Sequence, residues 1–476
     1  MTLVSVAKKA DTADPVTITS ELVRRAREAM ESYENHDQDR VDDAVRALAW
    51  SIYEPQRCRE LAELAVKDTG LGNVADKVTK NSRKTFGALR DLLRAKTVGI
   101  ISDEPEKGLV RYAKPVGVVA AVCPSTNPSA TPVNKAMMAL KGGNAVVIAP
   151  SPAGYATTAK AVGYMRQELE RSGHPEDLVQ VLPAPVSKDL TQALMEQSDL
   201  VVCTGSQNNV RRAYTSGTVA IGVGAGNVPV IIDSSADLTD AAEKICQSKI
   251  FDNSTSCSSE NSVVILDDVY DGAIAALRKA GGYLASSGEK ALIQESLWVD
   301  GHLNRHMIAK DADVFAGLAG LPDEAKSSRF FMVEDHEVGK EHPFSDEKLS
   351  LVLTVYRARD FSHAKDLVTG ILNVKGIGHS CGIHTADADH ARELAEELPV
   401  VRVLVNQAHT FGNGGSFDNA LNFTLSMGCG TWAGNSISEN LNYRHFINIT
   451  HLVRTAGEDK PSEEDLFGVY WERYGK

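Results

Sequence analysis

Short apolar runs alternate with amphipathic segments through the middle of the chain. The runs occupy residues 117–123, 145–149, 179–182, 200–203 and 228–232. Between them, apolar residues recur at the 3.6-residue spacing of helices, at 132–140, 155–169, 188–195 and 210–214. Strands that are apolar on both faces are typical of a parallel sheet with helices on both sides, so the pattern predicts an α/β fold.

A similar alternation after residue 233 predicts a second α/β unit. Its strands are predicted at 262–266, 351–355, 382–385 and 401–406, and a helix at 239–250 leads into a polar loop. The first hundred residues have helical spacing, and Thr19 and Ser20 are the candidate cap of the first helix. A late strand is predicted at 446–453, with no predicted partner after it, so docking on another subunit is one interpretation.

The composition is that of a globular chain with two or three domains. The chain has 476 residues, 43% hydrophobic and 24% charged, with a net charge of -13 at pH 7. This acidic balance disfavours nucleic acid and anionic membranes as partners, and no apolar run is long enough to span a bilayer. Residues 1–9 lack the apolar core of a secretory leader. Seven cysteines without paired spacing then indicate reduced thiols, and we expect a cytoplasmic protein.

One cysteine, Cys257, differs from the others in its surroundings. It lies in the stretch FDNSTSCSSENSVVI at 251–265, between a predicted helix and a predicted strand. Cys123 and Cys203 lie in apolar runs and are typical of buried thiols. Hydroxyls and backbone amides around Cys257 can stabilise a thiolate, so we predict a nucleophile there, with burial as a small apolar residue as the alternative.

Two glycine-containing stretches resemble phosphate-binding turns. Residues 200–207 read LVVCTGSQ, a strand, a Thr-Gly-Ser turn and a helix, so backbone amides and the helix N-terminus can meet a diphosphate. An ordinary tight turn is the alternative. GVGAGN at 222–227 leads into a strand, so we do not assign it to a dinucleotide. His379 and Cys381 would face away from His384 on a strand, and no metal site is predicted.

Seven stretches together resemble the aldehyde dehydrogenase superfamily, and within it the CoA-acylating branch, over nearly the whole chain. They are KPVGVV (114–119), PSTNP (124–128), KGGNAVV (141–147), TGS (204–206), CSSE (257–260), EKLS (347–350) and GCGTWAGNSISEN (428–440). The CSSE stretch and the last stretch carry the resemblance to the acylating branch. The resemblance implies two doubly wound parallel-sheet domains plus a small β element for oligomerisation.

The resemblance also implies how the chain is divided. Residues 1–104 and 120–233 would bind a nicotinamide dinucleotide, and residues 234–428 would form the catalytic domain with the nucleophilic cysteine. Residues 105–119 and 429–476 would form the oligomerisation element and C-terminal tail of a homodimer or homotetramer.

Roles for individual residues follow from the matching positions. Cys257 would attack the aldehyde, while Asn127 and the Cys257 amide would donate to the developing oxyanion. Cofactor contacts are implied for Thr204, Gly205, Ser206 and Glu347, the last on the nicotinamide ribose. The alternatives are a turn residue for Asn127 and a solvated charge for Glu347.

The residue at position 223 distinguishes hydrolysis of the thioester from its transfer to CoA within the superfamily. The resemblance places Val223 where hydrolytic members carry a glutamate general base. Valine cannot activate water, so a thioester at Cys257 would persist until the thiol of CoA attacks it. We therefore expect an NAD(P)-dependent acylating dehydrogenase with CoA as co-substrate. A hydrolytic aldehyde dehydrogenase, a cysteine hydrolase without cofactor and a non-catalytic binding protein are the alternatives.

Polar residues beside Cys257 indicate an anionic aldehyde. Thr255 and Ser256 precede the cysteine, and the loop 409–419 is rich in donors. We expect His379 and His409 to line the acyl or CoA pocket. Within the branch, the chain is most similar to acylating sulfoacetaldehyde dehydrogenases. Sulfoacetaldehyde is therefore the expected substrate, and succinate semialdehyde or another short aldehyde is the alternative.

The cofactor preference rests on the residues after the strand 145–149. Ser151 follows this strand, and no acidic residue is present there to bind a ribose 2′-hydroxyl and repel a 2′-phosphate. This favours NADP, with NAD as the alternative.

Overall fold

A computed structural model describes residues 14–33 and 37–476 of the chain. The stretch at residues 1–9, for which we predict no secretory leader, lies outside the described residues. The helices in the described ranges are α1 (Pro15–Tyr33), α2 (Gln38–Tyr53), α3 (Pro55–Thr69), α4 (Val74–Leu93), α5 (Ala130–Lys141), α6 (Tyr155–Arg171), α7 (Lys188–Gln197), α8 (Gln207–Tyr214), α9 (Leu238–Ile250), α10 (Tyr270–Lys279), α11 (Ser287–Leu297), α12 (Ala312–Leu318), α13 (Phe361–Val374), α14 (Ala388–Glu397), α15 (His409–Gly412) and α16 (Glu463–Tyr474). Among these helices, none has both the length and the apolar composition needed to span a membrane.

Within residues 14–33 and 37–476, the strands form two parallel sheets and two small antiparallel ones. They are β1 (Gly99–Glu104), β2 (Leu109–Pro115), β3 (Val118–Val122), β4 (Ala145–Ala149), β5 (Val179–Val181), β6 (Leu200–Cys203), β7 (Ala220–Gly222), β8 (Val228–Ile232), β9 (Glu260–Leu266), β10 (Gly282–Leu284), β11 (Trp298–Val299), β12 (His302–Leu303), β13 (Phe330–Glu334), β14 (Val352–Ala358), β15 (Gly378–His384), β16 (Val400–Val405) and β17 (Ile447–Val453).

A five-stranded parallel sheet lies in the first half of the chain. Its strand order is β5-β4-β3-β6-β7, and helices α1, α5, α6 and α7 contact its strands. β3 and β4 are buried along their whole length, as their continuous apolar runs predict.

A seven-stranded parallel sheet forms the second unit, in the order β10-β13-β14-β9-β8-β15-β16. Successive side chains of β8 enter different cores: Val230 and Ile232 pack in one hydrophobic cluster, and Ile231 packs in another. Both faces of the sheet are therefore covered. The predicted α/β fold with two parallel-sheet units is confirmed.

Strand pairing differs from the expected division of the chain at two points. β8 was assigned to the first domain, but it pairs with β9 and β15 in the seven-stranded sheet. β1 was also assigned there, but it pairs with β2 in an antiparallel sheet completed by β17. The late strand thus has a partner within its own chain. The first helix begins at Pro15, so Thr19 and Ser20 lie inside it and are not its cap.

Candidate active site

A cavity of about 790 Å³ lies between the two parallel sheets. One wall is formed by loops that follow β3, β4, β5, β6 and β7, at the carboxyl edge of the five-stranded sheet. The opposite wall is formed by segments that precede β9, β14 and β15, at the amino edge of the seven-stranded sheet. The carboxyl edge of an open parallel sheet is where nucleotide ligands bind.

Cys257 lies in the second wall of this cavity. It is half-buried, whereas the other six cysteines are buried. The loop that carries it has an unusual backbone, because Asp252, Asn253 and Ser254 have φ values of 50°, 52° and 61°. Three consecutive residues without glycine in the left-handed region are strained, so tertiary contacts must stabilise this conformation.

The Asp252 carboxylate supplies these contacts. It is fully buried, and its Oδ2 accepts hydrogen bonds from Lys80 Nζ, from Lys77 Nζ at 3.0 Å and from Thr255 Oγ1 at 2.7 Å. Its Oδ1 accepts from the backbone N–H of Asn73 at 3.1 Å. Asp252 therefore anchors the Cys257 loop to the start of helix α4.

The GVGAGN stretch lies between β7 and β8 and packs directly against this loop. A Cβ at Gly226 would lie 2.6 Å from the Cβ of Cys257, and a Cβ at Gly224 would lie 2.7 Å from Cys429 Sγ. These glycines permit close approach of two backbone segments at the nucleophile.

Burial and nearby charge keep the Cys257 thiol protonated. Burial, followed by the negative charge of Glu347, raises the pKa of Cys257 to about 12, although Arg402 acts in the opposite direction. Burial also raises the pKa of Glu347 to about 7. The environment must change when ligands bind if the thiol is to react as a thiolate.

Asn127 lies in the first wall, in the loop after β3. Its Oδ1 is buried and has no hydrogen-bond partner within the described part of the chain. Its Nδ2 makes one long contact, 3.4 Å to Thr126 Oγ1. The side-chain amide is thus available to donate to a group at Cys257.

The Thr-Gly-Ser turn and Ser151 also lie in the first wall, after β6 and β4. Ser206 caps α8 by accepting a hydrogen bond from Asn209 N at 3.3 Å, and Thr204 Oγ1 pairs with Ser426 Oγ at 2.6 Å. A Cβ at Gly205 would meet only Asn209 Nδ2, at 3.9 Å, so the turn is open to a ligand. With the half-buried Glu347 carboxylate across the cavity, these groups fit a nicotinamide dinucleotide.

The two predicted pocket histidines do not belong to the cavity wall. His379 and His409 are both buried, and a ring nitrogen of each lies 2.8 Å from Ser380 Oγ. Burial lowers the pKa of His409 to about 3 and that of His379 well below its ordinary value. The structure does not place them in the pocket as expected: His379 lies on β15, which is buried along its whole length, and His409 is a buried residue at the start of α15.

The aldehyde dehydrogenase family model matches residues 6–289. This chain belongs to the aldehyde dehydrogenase family. It is 53% identical over 456 residues to an acylating sulfoacetaldehyde dehydrogenase of Cupriavidus necator, covering 96% of this chain and 92% of the relative. A solved acetylating aldehyde dehydrogenase of Geobacillus thermoglucosidasius superposes with a TM-score of 0.90 at 34% identity, covering 94% and 98%. A propionaldehyde dehydrogenase of Rhodopseudomonas palustris, solved with bound CoA and an acylated cysteine, superposes with a TM-score of 0.81 at 25% identity, covering 92% and 97%.

In this aldehyde dehydrogenase, Glu347 is the only acidic side chain among the described residues that line the cavity. Val223 lines the cavity and is buried. The described part of the cavity wall therefore holds no second carboxylate that could activate water beside Cys257. Thr255 and Ser256 also lie in the wall, but Thr255 Oγ1 is bonded to Asp252.

Sequence reasoning missed the basic residues of the cavity. Lys80, Arg83 and Lys84 of α4 line it, as does Lys375 before β15. Residues 77, 80 and 84 are three and four apart, which places them on one face of a helix. That spacing was a detectable signal for a basic helix face.

Proposed function

We propose that this enzyme is a CoA-acylating aldehyde dehydrogenase that oxidises sulfoacetaldehyde to sulfoacetyl-CoA. The observation that carries the proposal is the half-buried Cys257 in a cavity whose wall has Val223 at the position of the hydrolytic base. The 53% identity to an acylating sulfoacetaldehyde dehydrogenase supports the substrate.

In the first step, the Cys257 sulfur attacks the aldehyde carbon, and a thiohemiacetal forms. The side-chain amide of Asn127 and the backbone N–H of Cys257 donate to the oxygen as negative charge develops on it. A nicotinamide cofactor held by Gly205, Ser206 and Glu347 would supply the acceptor for the hydride of the former aldehyde carbon, and the hydroxyl proton would leave to solvent. The product on the protein is a Cys257 thioester.

The Cys257 thioester then persists until a thiol attacks its carbonyl carbon. Val223 offers no proton acceptor for water, so hydrolysis is slow, whereas the CoA thiol is a stronger nucleophile that needs less help from a base. Attack of that thiol releases the acyl-CoA and returns the Cys257 thiol.

The residues that would hold the dinucleotide are those that line both walls. Gly205 and Ser206 would bind the diphosphate at the N-terminus of α8, and Glu347 would accept hydrogen bonds from the ribose hydroxyls.

Ser151 follows β4 with no acidic residue beside it, which favours binding of the 2′-phosphate of NADP. A Ser151→Glu variant should therefore lose more affinity for NADP than for NAD in fluorescence titrations. Equal losses would contradict the assignment.

The deciding experiment follows reduced-nicotinamide absorbance with sulfoacetaldehyde and NADP, with and without CoA, and with NAD in parallel. We expect sustained turnover only with CoA and none in Cys257→Ala. Sustained turnover without CoA would mean that water is the acceptor and that the enzyme is hydrolytic.

We also propose that the enzyme is cytoplasmic and homo-oligomeric. All seven cysteines are free, which is typical of a reducing compartment. Helix α16 exposes Leu466, Phe467, Val469 and Tyr470, and β17 exposes Val453. Such apolar surface is common where a second subunit packs. Cell fractionation and light scattering test the two parts.

A further inference from the structure

Arg83 and Lys84 are two cations of the cavity wall without an acidic partner. Within the described residues, neither has a carboxylate oxygen at ion-pair distance, and Asp418 influences Arg83 only from farther away. The other buried or half-buried lysines of the wall have carboxylate partners: Lys80 pairs with Asp252, and Lys375 lies 2.8 Å from Asp346. Arg83 and Lys84 therefore place two adjacent positive charges in the cavity wall without a carboxylate partner in the described chain, whereas the half-buried Arg212, which also lacks one, lies in the first wall.

Both cations are held in position without being neutralised. Lys84 Nζ donates to Gly414 O at 2.8 Å, and its other two hydrogens have no acceptor among the described residues. Arg83 donates to Ser416 Oγ at 2.8 Å, and its buried Nε has no partner in the described chain. The ring of Phe423 lies 5.5 Å from each cation, and such contact stabilises a cation but leaves its charge available.

A short series of contacts connects Lys84 to the nucleophile. Lys84 bonds to Gly414, and the preceding residue, Asn413, donates from Nδ2 to Ser258 Oγ at 3.0 Å, next to Cys257. Burial lowers the pKa of Lys84 to about 7, while a thiolate at Cys257 acts in the opposite direction. A second anion bound near Lys84 would likewise favour its protonated form.

We propose that Arg83 and Lys84 bind the sulfonate of the aldehyde while Cys257 attacks its carbonyl carbon. The inference rests on the proposed function and names the recognition element of that site. In sulfoacetaldehyde a single carbon joins the sulfonate to the carbonyl, so the anion site must lie close to the nucleophile. A sulfonate stays ionised at neutral pH and has three acceptor oxygens for the free N–H groups of both residues.

The test compares kcat/KM for sulfoacetaldehyde and for propanal, which has a methyl group in place of the sulfonate. Wild type, Lys84→Met, Arg83→Gln and Lys84→Arg are assayed at saturating NADP and CoA. We expect Lys84→Met to lower kcat/KM for sulfoacetaldehyde by about 10- to 100-fold, the range for a lost charged hydrogen bond. The value for propanal should change by less than about threefold, and Lys84→Arg should keep much of the preference.

Arg212→Gln serves as the matched control, because Arg212 lines the same cavity from α8 in the first wall. This control should leave the ratio between the two aldehydes unchanged. Propanal turnover in each variant shows that the protein is folded.

Three results would overturn the proposal, and they are distinguishable. A wild type that turns over propanal as well as sulfoacetaldehyde contradicts the proposed substrate, and with it this inference. A wild type that prefers sulfoacetaldehyde, with Lys84→Met and Arg83→Gln that keep the preference, contradicts the inference alone. A raised KM for CoA with an unchanged aldehyde ratio would assign the two cations to the phosphates of CoA.

Discussion

A single neighbouring side chain, Glu347, influences the pKa of the Cys257 thiol and therefore its reactivity. Burial and Glu347 raise the pKa of the Cys257 thiol to about 12, which disfavours its thiolate form in the ligand-free enzyme. Glu347 itself has a pKa near 7, so its effect on the thiol changes within the physiological range. Binding of a ribose to Glu347 would couple cofactor occupancy to activation of the thiol.

A Glu347→Gln variant tests this coupling through alkylation by iodoacetamide without cofactor. Above pH 7 the wild-type carboxylate is charged, so its removal should lower the pKa of Cys257 and speed alkylation severalfold. Below pH 7 the wild-type carboxyl is protonated, and the two rates should converge. Mass spectrometry assigns the label to Cys257, with Cys257→Ala as the control. Equal rates at pH 8 would show that Glu347 does not influence the thiol.

Asn127 tests the oxyanion assignment. Removal of one donor to a developing oxyanion lowers kcat by about 10²- to 10³-fold, and we expect this of Asn127→Ala, with NADP affinity unchanged. Asn208→Ala is the control, because Asn208 is an exposed amide on α8 outside the cavity wall. A loss of less than about threefold in Asn127→Ala would assign Asn127 to the turn alone.

At the level of elements, the positions of the parallel strands could be predicted from the sequence, because a strand that is buried on both faces gives a continuous apolar run. β4, β6 and β8 have the predicted bounds, and the turns after the first two carry Ser151 and Thr204 to the cavity as expected. Contacts between elements that are distant in the sequence could not be predicted in this way. His379 was misplaced because its surroundings depend on β15 packing in the interior, and β8 was assigned to the wrong sheet because only strand pairing reveals its neighbours.

The ion pairs of Asp252 with Lys77 and Lys80 join the Cys257 loop to helix α4. Asp252→Asn would leave Lys77 and Lys80 buried without a counter-charge, and breaking a buried pair costs about 3–5 kcal/mol. We expect a clear fall in Tm by calorimetry. Asp323→Asn is the control, because Asp323 pairs with Lys326 at the surface and should contribute less than about 1 kcal/mol.

The pH dependence of this difference has a definite sign. Burial alone would raise the pKa of Asp252, but Lys80 and Lys77 lower it below its ordinary value. A lowered pKa adds stability above the unfolded-state value of about 3.9, and this stability is lost as the pH falls through the folded-state value. The Tm difference between wild type and Asp252→Asn should therefore be full at pH 7 and shrink below pH 4. A difference that grows on acidification would contradict the pairing.

At the scale of the whole molecule, helix α16 contributes little to the fold of its own chain. In α16 only Gly468 is buried, and none of its residues belongs to a hydrophobic core cluster. Its exposed Leu466, Phe467, Val469 and Tyr470 form an apolar surface that is costly to leave in water. Because the helix follows β17 at the edge of the three-stranded sheet, we expect its exposed apolar face to pack against a second copy of the chain.

A chain that ends at residue 459 should therefore fold and keep its cavity while it loses subunit contacts. We expect light scattering to give a smaller assembly than wild type, with circular dichroism and Tm of the remaining chain little changed. Leu466→Glu combined with Phe467→Glu should have the same effect in the full-length chain, since two buried charges oppose packing of an apolar interface. Ser462→Ala is the matched control, because it removes only the cap of α16 and leaves the apolar surface intact. An unchanged molar mass in both the truncated and the double variant would exclude α16 from the interface, and the exposed edge of β17 would then be the surface to test.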